Sequence, residues 1–209
     1  MKPIIQAKKL RLGVLASGRG SNFLAIQQAI AAGRLDAEIA VLLSDQPQAA
    51  VLAEAQQLGI RNRAVVPGNF NRKEDYEARL VEILQAGDTD IVVLAGYMRL
   101  VGSVFLRAFP HRIVNIHPAL LPAFTGLHAQ RQAVEYGVKY SGCTVHLVDN
   151  GMDTGPIIRQ AVVPVDDDDD EESLAARILV QEHKIYAEVL QLLAEGRVFL
   201  EGRKVWIKQ

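Results

Sequence analysis

The stretch LRLGVLASGRGSNFLAIQQAIAAG, residues 10–33, combines three patterns that together indicate the fold. Its first seven residues are mostly apolar and predict a strand, the glycine-rich turn ASGRGSN follows, and residues 22–33 carry the pattern of a helix. Gly33 is the kind of residue that ends a helix in the left-handed conformation. A strand that leads through a tight turn into a helix is the repeating unit of a parallel sheet covered by helices.

The same alternation continues through the N-terminal half of the chain. The strands predicted at residues 37–45 and 90–97 are apolar enough to be buried on both faces, as in the centre of a parallel sheet. Pro47 opens one predicted helix, and Asn71 with Glu74 opens another at the spacing of a capping box. The pattern therefore predicts an α/β fold with a doubly wound, right-handed parallel sheet and helices on both faces. The other predicted elements are strands at residues 61–66 and 113–117 and helices at residues 47–59 and 71–87.

The alternation of strand and helix stops in the C-terminal half. Residues 139–149 and 156–165 predict two strands joined by a turn-rich loop, so the parallel sheet is expected to continue as a mixed sheet. A long helix at residues 173–195 follows, and the chain ends in a predicted hairpin that turns at Glu201 and Gly202.

The acidic run at residues 166–172 precedes the long helix. Acidic side chains in this place complement the positive end of a helix and stay solvated, so we assign the run no function. The sequence contains no internal repeat and no flexible linker, which predicts a single domain over residues 10–209. Residues 1–9 are expected to be a disordered extension.

Composition and charge exclude several classes of protein. The 209 residues include 23 Lys and Arg against 24 Asp and Glu, so there is no overall positive field to attract nucleic acid or an anionic membrane. The single cysteine, Cys143, excludes an intramolecular disulfide and a multi-cysteine zinc site. No N-terminal run resembles a signal peptide, and no stretch approaches the length of a membrane span. These features predict a soluble cytoplasmic protein.

The glycine-rich turn is a candidate anion site. The backbone N–H groups of Gly20, Ser21 and Asn22 are expected to point out of the helix N-terminus toward a phosphate. Phe23 occupies the place where a dinucleotide-binding fingerprint has its third glycine, although Asp45 is placed like the acid that holds a ribose. A nicotinamide-dependent oxidoreductase and a tight turn without any ligand therefore stay open as alternatives.

A second group of polar residues interrupts apolar strands. Asn115 and His117 are two apart in a strand and share one face, as do Thr144 and His146 in a later strand, while Asp153 lies in a glycine-rich loop. The carboxyl ends of the strands of a doubly wound sheet converge on its ligand site. Such a group suits acyl transfer, because an asparagine and an imidazolium can donate hydrogen bonds to a developing oxyanion, and a nearby carboxylate can fix the charge of the imidazolium. Two histidines and an aspartate could alternatively hold a metal, or be satisfied core residues with a structural loop acid.

Several motifs spread over the chain occur together. In this combination they resemble the folate-dependent formyltransferases that act on glycinamide ribonucleotide in purine synthesis, from about Leu10 to the end of the chain. The resemblance implies a Rossmann-like formyltransferase fold and transfer of a formyl group from the co-substrate 10-formyltetrahydrofolate to the amine of the nucleotide. The motifs are SGRGSN, VVLAGYMRL, NIHPALLP, GLHAQRQA, GCTVHLVDNGMDTGPII and QEHKIYAEVL.

The resemblance also implies a role for each matching residue. The N-terminal half is expected to bind the nucleotide, and the C-terminal half to bind folate and carry the catalytic loop. Asn115, His117 and Asp153 correspond to the catalytic residues, and Thr144 and His146 support them. The residues implied to bind the nucleotide are Gly20, Ser21, Asn22, Gly96, Pro118 and Glu182. Those implied to bind folate are Met98, Arg99, Leu100, Asp149, Asn150, Gly151 and Met152.

Two related activities reuse the same catalytic residues. Formylation of initiator methionyl-tRNA is expected to need an additional C-terminal domain, and hydrolysis of formyltetrahydrofolate an additional N-terminal domain. We expect neither to fit in 209 residues. The predicted partners are therefore the two small-molecule substrates, without metal, nucleic acid or membrane, and the predicted assembly is a monomer or a homodimer.

Overall fold

A computed structural model describes residues 2–208 of the chain, so that Met1 and Gln209 lie outside the described residues. Seven strands form one sheet in the order β3-β2-β1-β4-β5-β6-β7, and two further strands form a hairpin. The strands are β1 (Leu10–Leu15), β2 (Ala37–Ser44), β3 (Asn62–Ala64), β4 (Ile91–Leu94), β5 (Ile113–His117), β6 (Tyr140–Leu147), β7 (Ile157–Pro164), β8 (Val198–Glu201) and β9 (Lys204–Ile207).

Helices cover both faces of the large sheet. Alternation along β1 sends Val14 into one apolar cluster and Leu15 into another, because successive side chains of a strand point to opposite faces. No helix within residues 2–208 is long and apolar enough to cross a membrane. The helices are α1 (Ser21–Ala31), α2 (Ala50–Gln57), α3 (Lys73–Gln85), α4 (Ser103–Ala108), α5 (Ala129–Tyr136) and α6 (Glu171–Ala194), with a 3-10 turn at Pro67–Asn69.

The direction of the strands changes within the sheet, which confirms the predicted mixed sheet. The first five strands are parallel, β6 runs antiparallel to β5, and β7 runs antiparallel to β6. The strand order reverses between β1 and β4, and the carboxyl ends of the strands at such a switch point leave a crevice for ligands. Tyr186 of α6 fixes this edge, since its buried hydroxyl lies 3.0 Å from the Leu94 carbonyl oxygen and 2.9 Å from that of Val114.

The starts of two helices differ from the prediction. Helix α2 begins at Ala50 rather than at Pro47. The predicted capping box of Asn71 and Glu74 is wrong, because Arg72 is the N-cap residue of α3 and makes no side-chain capping bond. Spacing alone does not place the cap, since the residues before it must also adopt the right backbone angles.

A capping box does form at the start of α6. The Asp170 carboxylate accepts a hydrogen bond from Ser173 N at 2.8 Å, and the Ser173 hydroxyl accepts one from Asp170 N at 3.0 Å. The helix therefore begins two residues earlier than predicted, and the acidic run does complement its positive end. Other members of the run form ion pairs instead of only contacting water: Asp166 and Asp169 bind Arg177.

The N-terminal segment has ordered contacts where a disordered extension was expected. Pro3 forms a bridge with Phe199 of β8, Ile4 N donates to the Val198 carbonyl at 2.9 Å, and Lys8 N donates to that of Ala194. A short strand-like segment can satisfy its backbone groups in this way against an existing edge. From Pro3 onward the segment therefore lies against the terminal hairpin and the end of α6.

Candidate active site

A cavity of about 580 Å³ opens at the carboxyl ends of β4 and β5. It brings together the predicted catalytic residues Asn115, His117 and Asp153. Every residue expected to contact folate also lines it, as do three others of the predicted site. These additional predicted residues are Met98, Arg99, Leu100, Asp149, Asn150, Gly151, Met152, Gly96, Pro118 and His146.

The pairing of β5 with β6 sets the polar wall of the cavity. Its antiparallel register places Asn115 opposite His146 and His117 opposite Thr144. The His146 ring donates from Nδ1 to the Leu147 carbonyl at 2.9 Å, which leaves Nε2 as an acceptor for the Asn115 Nδ2 group at 3.2 Å. His146 thus fixes which end of the Asn115 amide carries the nitrogen.

Burial keeps His146 in the form that this contact requires. The ring is 2% exposed, and burial lowers the pKa of His146, although the Leu147 hydrogen bond and the Asp153 charge oppose this shift. A neutral imidazole has one N–H and one acceptor nitrogen, as the Asn115 contact demands. Only one of the two Nδ2 hydrogens of Asn115 is used here, so the other can be donated to a ligand.

His117 has acceptors at both ring nitrogens. Its Nε2 donates to the Phe124 carbonyl oxygen at 2.8 Å, and its Nδ1 lies 3.4 Å from Oδ2 of Asp153. The His117 side chain is buried, being 5% exposed, and that of Asp153 is 14% exposed. The contact places a carboxylate against a buried imidazole on the wall of the cavity.

The loop that carries Asp153 is held by its own hydrogen bonds. Asp149 accepts from Gly151 N at 3.0 Å and from the Thr154 hydroxyl at 2.6 Å. Asp153 itself has a positive φ of 56°, a conformation that costs energy in a residue other than glycine. Its Oδ2 also accepts from Gly126 N at 2.8 Å, which links this loop to the loop after β5.

Thr144 of β6 holds the loop after β5 through hydrogen bonds to its backbone. Its hydroxyl donates to the Ala119 carbonyl at 2.7 Å and accepts from Leu121 N at 3.1 Å. Gln160 of β7 adds a third contact, since its amide donates to Thr144 Oγ1 at 2.9 Å and to the Leu121 carbonyl at 3.0 Å. Pattern reasoning found Thr144 but missed Gln160, because nothing in a strand sequence reveals which neighbour an exposed amide reaches.

The predicted phosphate cradle lies outside the lining of this cavity, at the start of α1. Gly20 is the N-cap residue with φ 82°, and a Cβ there would stand 2.3 Å from Cγ2 of Val51, so this position requires glycine. The N–H groups that follow at Ser21 and Asn22 belong to the first turn, which has no carbonyl partners within the helix. They remain available to an anion.

Asn22 also joins the cradle to α6. Its Nδ2 donates to Oε2 of Glu182 at 2.9 Å, and both side chains are buried. Burial raises the pKa of Glu182, while the Asn22 hydrogen bond lowers it. Among residues 2–208, the Oδ1 atom of Asn22 belongs to the few buried side-chain oxygens without a hydrogen-bond partner. The structure thus places Glu182 in contact with a residue of the predicted cradle, and its binding of the nucleotide stays a prediction.

Three observations bear on the two alternative site types, a metal site and a dinucleotide site. The described part of the chain contains no group of three or more His, Cys, Asp or Glu side chains arranged to hold a metal ion. Phe23, in the place of the third fingerprint glycine, is fully buried in the core. Asp45 is 3% exposed and lies at the end of β2, as the ribose-binding reading expects, with a 3.4 Å contact from Gln46 Nε2.

Beyond Pro118, sequence reasoning missed the residues that the loop after β5 contributes. Phe124 and Gly126 act through backbone atoms, which residue type does not reveal. His128 and Glu171 also line the cavity, and Glu171 accepts hydrogen bonds from His128 and Arg131 at 3.2 and 2.8 Å. The motif GLHAQRQA contains His128 and Arg131 and was the available signal, but no role was assigned to either.

Comparison with known proteins gives consistent results. A family described as formyl transferase matches residues 10–190. The phosphoribosylglycinamide formyltransferase of Bacillus subtilis (strain 168) is 44% identical over 183 residues, which are 88% of this chain and 94% of that protein. The trifunctional purine biosynthetic protein adenosine-3 of Drosophila melanogaster is 42% identical over 199 residues, which are 94% of this chain but 15% of that protein.

A solved structure shows the same architecture. The crystal structure of glycinamide ribonucleotide transformylase 1 from Symbiobacterium toebii superposes with a TM-score of 0.94 at 50% sequence identity. The match covers 96% of this chain and 94% of that one. Both the mixed sheet and the helices that cover it therefore recur in a protein of that description.

Proposed function

The chain belongs to the formyl transferase family, and from that membership we propose that it transfers a formyl group from 10-formyltetrahydrofolate to the amine of glycinamide ribonucleotide, in de novo purine biosynthesis. The observation that carries the proposal is the grouping of Asn115, His117 and Asp153 in one cavity at the edge of the sheet. The names of the Bacillus subtilis relative and the Symbiobacterium toebii structure support this choice of substrates.

The proposed reaction is a direct displacement. The neutral amine of the nucleotide attacks the formyl carbon, and a bond forms between them to give a tetrahedral intermediate with a negatively charged oxygen. The bond from the formyl carbon to the folate nitrogen then breaks, and the proton lost by the amine is delivered to that nitrogen. The formyl group arrives activated on nitrogen, so the step needs neither a covalent enzyme intermediate nor a metal.

Asn115 and His117 are proposed to stabilise the negative oxygen. The Asn115 amide has one hydrogen held by His146 and a second that can point to the substrate. The formyl oxygen would replace the Phe124 carbonyl as the acceptor of the His117 Nε2 proton. Removing a donor of this kind typically raises the barrier by roughly 3 to 4 kcal/mol.

Asp153 is proposed to act through charge and proton transfer. Its carboxylate, 3.4 Å from His117 Nδ1, favours the imidazolium that donates to the oxyanion. The same carboxylate faces the cavity and can accept the amine proton as the carbon–nitrogen bond forms. In this account the helix N-terminus at Gly20, Ser21 and Asn22 holds the nucleotide phosphate, with Glu182 beside its ribose.

An absorbance assay tests the proposal. The purified protein is mixed with glycinamide ribonucleotide and 10-formyltetrahydrofolate, and formation of tetrahydrofolate is followed. We expect a signal that requires both substrates and is unchanged by a chelator. A signal without the nucleotide would indicate hydrolysis of the formyl folate, and no signal with both substrates would overturn the proposal. Titration with a nicotinamide dinucleotide tests the oxidoreductase alternative, for which we expect no binding.

We make three further proposals, about the domain organisation, the location and the assembly of the protein. We propose a single domain from residue 10 onward, a cytoplasmic location, and a monomer or homodimer that engages small molecules rather than nucleic acid or membrane. Sedimentation of the purified protein over a range of concentrations would distinguish the monomer from the homodimer.

A further inference from the structure

Ser17 joins the nucleotide-binding turn to the folate-binding segment. Ser17 lies three residues before Gly20 in the glycine-rich turn. Its backbone N–H donates to the Gly96 carbonyl at 3.0 Å, and its hydroxyl accepts a hydrogen bond from Met98 N, also at 3.0 Å. The half-buried Ser17 therefore makes hydrogen bonds to two residues, Gly96 and Met98, of the segment that follows β4.

The segment that Ser17 holds is exposed and depends on a few anchors. Met98 is 67% exposed and Leu100 58% exposed, so packing contributes little to their placement. The hydroxyl groups of Tyr97 and Tyr76 lie 2.8 Å apart, which anchors the segment toward α3. The Ser17 hydroxyl is the side-chain acceptor for the backbone of Met98, at the centre of the predicted folate contact.

The other side of the turn, which leads into the phosphate cradle, is anchored to α2. The Gly18 carbonyl accepts from Val51 N at 3.2 Å, and Gly20 packs against the Val51 side chain. A phosphate bound to the N–H groups that begin α1 would hold the turn in one conformation. Ser17 belongs to the same short turn, so its hydroxyl would be restricted with it.

From these contacts we propose that Ser17 is a positioning residue through which nucleotide binding and folate binding strengthen each other. This inference rests on the proposed function, since it takes both substrates to occupy the sites assigned above. Coupling between two binding sites is reciprocal, so each ligand raises the affinity for the other by the same factor. A single hydrogen bond at the junction sets that factor at roughly 3- to 10-fold.

The test measures the dissociation constant of tetrahydrofolate with and without saturating glycinamide ribonucleotide. In the wild-type protein we expect the nucleotide to lower this constant by roughly 3- to 10-fold. Ser17→Ala should bring the ratio of the two constants close to one, and Ser17→Thr, which keeps a hydroxyl, should restore most of it. Ser44→Ala is the matched control, because the buried Ser44 hydroxyl contacts Gln46 at the end of the adjacent strand.

The ratio separates a positioning role from a merely structural one. A general loss of stability would change the melting temperature and both dissociation constants but would leave their ratio at the wild-type value. A wild-type ratio in Ser17→Ala, or a ratio of one in the wild-type protein, would overturn the inference while the proposed function stands. Failure of the nucleotide to bind the wild-type protein would overturn the proposed function, and the coupling with it.

Discussion

The imidazole Nδ1 of His117, at the end of β5, lies 3.4 Å from Oδ2 of Asp153, which the loop between β6 and β7 carries. The same carboxylate oxygen accepts from Gly126 N, and the loop that contains Gly126 also supplies the Phe124 carbonyl to the other nitrogen of His117. Asp153 therefore contacts His117 directly and also holds the loop that contacts His117 from the opposite side.

Substitution of Asp153 by asparagine removes the charge and keeps the shape. We expect kcat to fall by roughly 10²- to 10⁴-fold, because both the support of the imidazolium and the proton acceptor are lost. The KM values should change much less. Steady-state kinetics and a melting curve check the prediction. Asp88→Asn is the matched control, since Asp88 also has a positive φ but is exposed and does not line the cavity. Near-normal turnover in Asp153→Asn would leave Asp153 as a loop residue only.

His146 links pH to the orientation of Asn115. Burial lowers the pKa of His146 below its ordinary value of 6.5, so the ring is neutral at pH 7 and accepts from Asn115. Because the folded-state pKa is the lower one, the contribution of His146 to stability is present above about pH 6.5 and is lost as the pH falls through the folded-state pKa. His146→Ala should lower kcat about tenfold, because the Asn115 amide is then free to rotate. The variant should also lose less stability than the wild-type protein as the pH falls, because it lacks the group whose protonation causes that loss. The melting temperature and kcat are measured from pH 8 down to pH 5. A fall in melting temperature identical to that of the wild-type protein would exclude this role of His146.

Substitution of Glu182 is expected to weaken binding of the nucleotide but not binding of the folate. Glu182→Gln keeps the size of the side chain and an acceptor for Asn22 but removes the carboxylate, so the KM for the nucleotide should rise roughly tenfold, as a charge-assisted hydrogen bond would require. The KM for the folate should stay within about twofold. Glu188→Gln on the same helix is the control, because Glu188 pairs with Arg159 at the surface. Equal increases for both substrates would contradict the placement of Glu182 at the ribose.

The single thiol should be unreactive in the folded protein. Cys143 is fully buried in β6, and burial raises its pKa to about 12, with the Glu182 charge adding to the shift. The thiolate is the reactive form, so a thiol reagent should modify Cys143 only after the protein unfolds. Titration with a disulfide reagent before and after addition of denaturant measures this. Rapid modification of the native protein would show that β6 is more open than the structure indicates.

The fold was largely predictable because its strong signals are local. The apolar strands β1, β2, β4 and β5 and the left-handed Gly33 after α1 follow directly from residue pattern. Helices α4 and α5 were not predicted as elements. Each is only six or eight residues long, and a helix of this length is stabilised by packing rather than by a periodic pattern of its own.

The site was predictable where function depends on side chains at strand ends. Asn115 and His117 stood out as polar residues in a buried strand, and the structure places them on the wall of one cavity with Asp153. Contacts made by backbone atoms were not predictable. The Phe124 carbonyl and the Met98 N–H owe their positions to loop conformation, which a single sequence does not specify.

The turnover of Asn115→Ala and His117→Ala tests the central claim most directly, that these two side chains stabilise the oxyanion of formyl transfer. The measurement is kcat for transfer from 10-formyltetrahydrofolate to glycinamide ribonucleotide, together with a melting curve, and His111→Ala is the control because His111 is exposed outside the cavity lining. We predict a loss of about 100-fold or more in each variant with the fold retained, and wild-type turnover in the control. Lower stability with near-normal turnover of the folded fraction would contradict the account and make the pair a structural feature of β5.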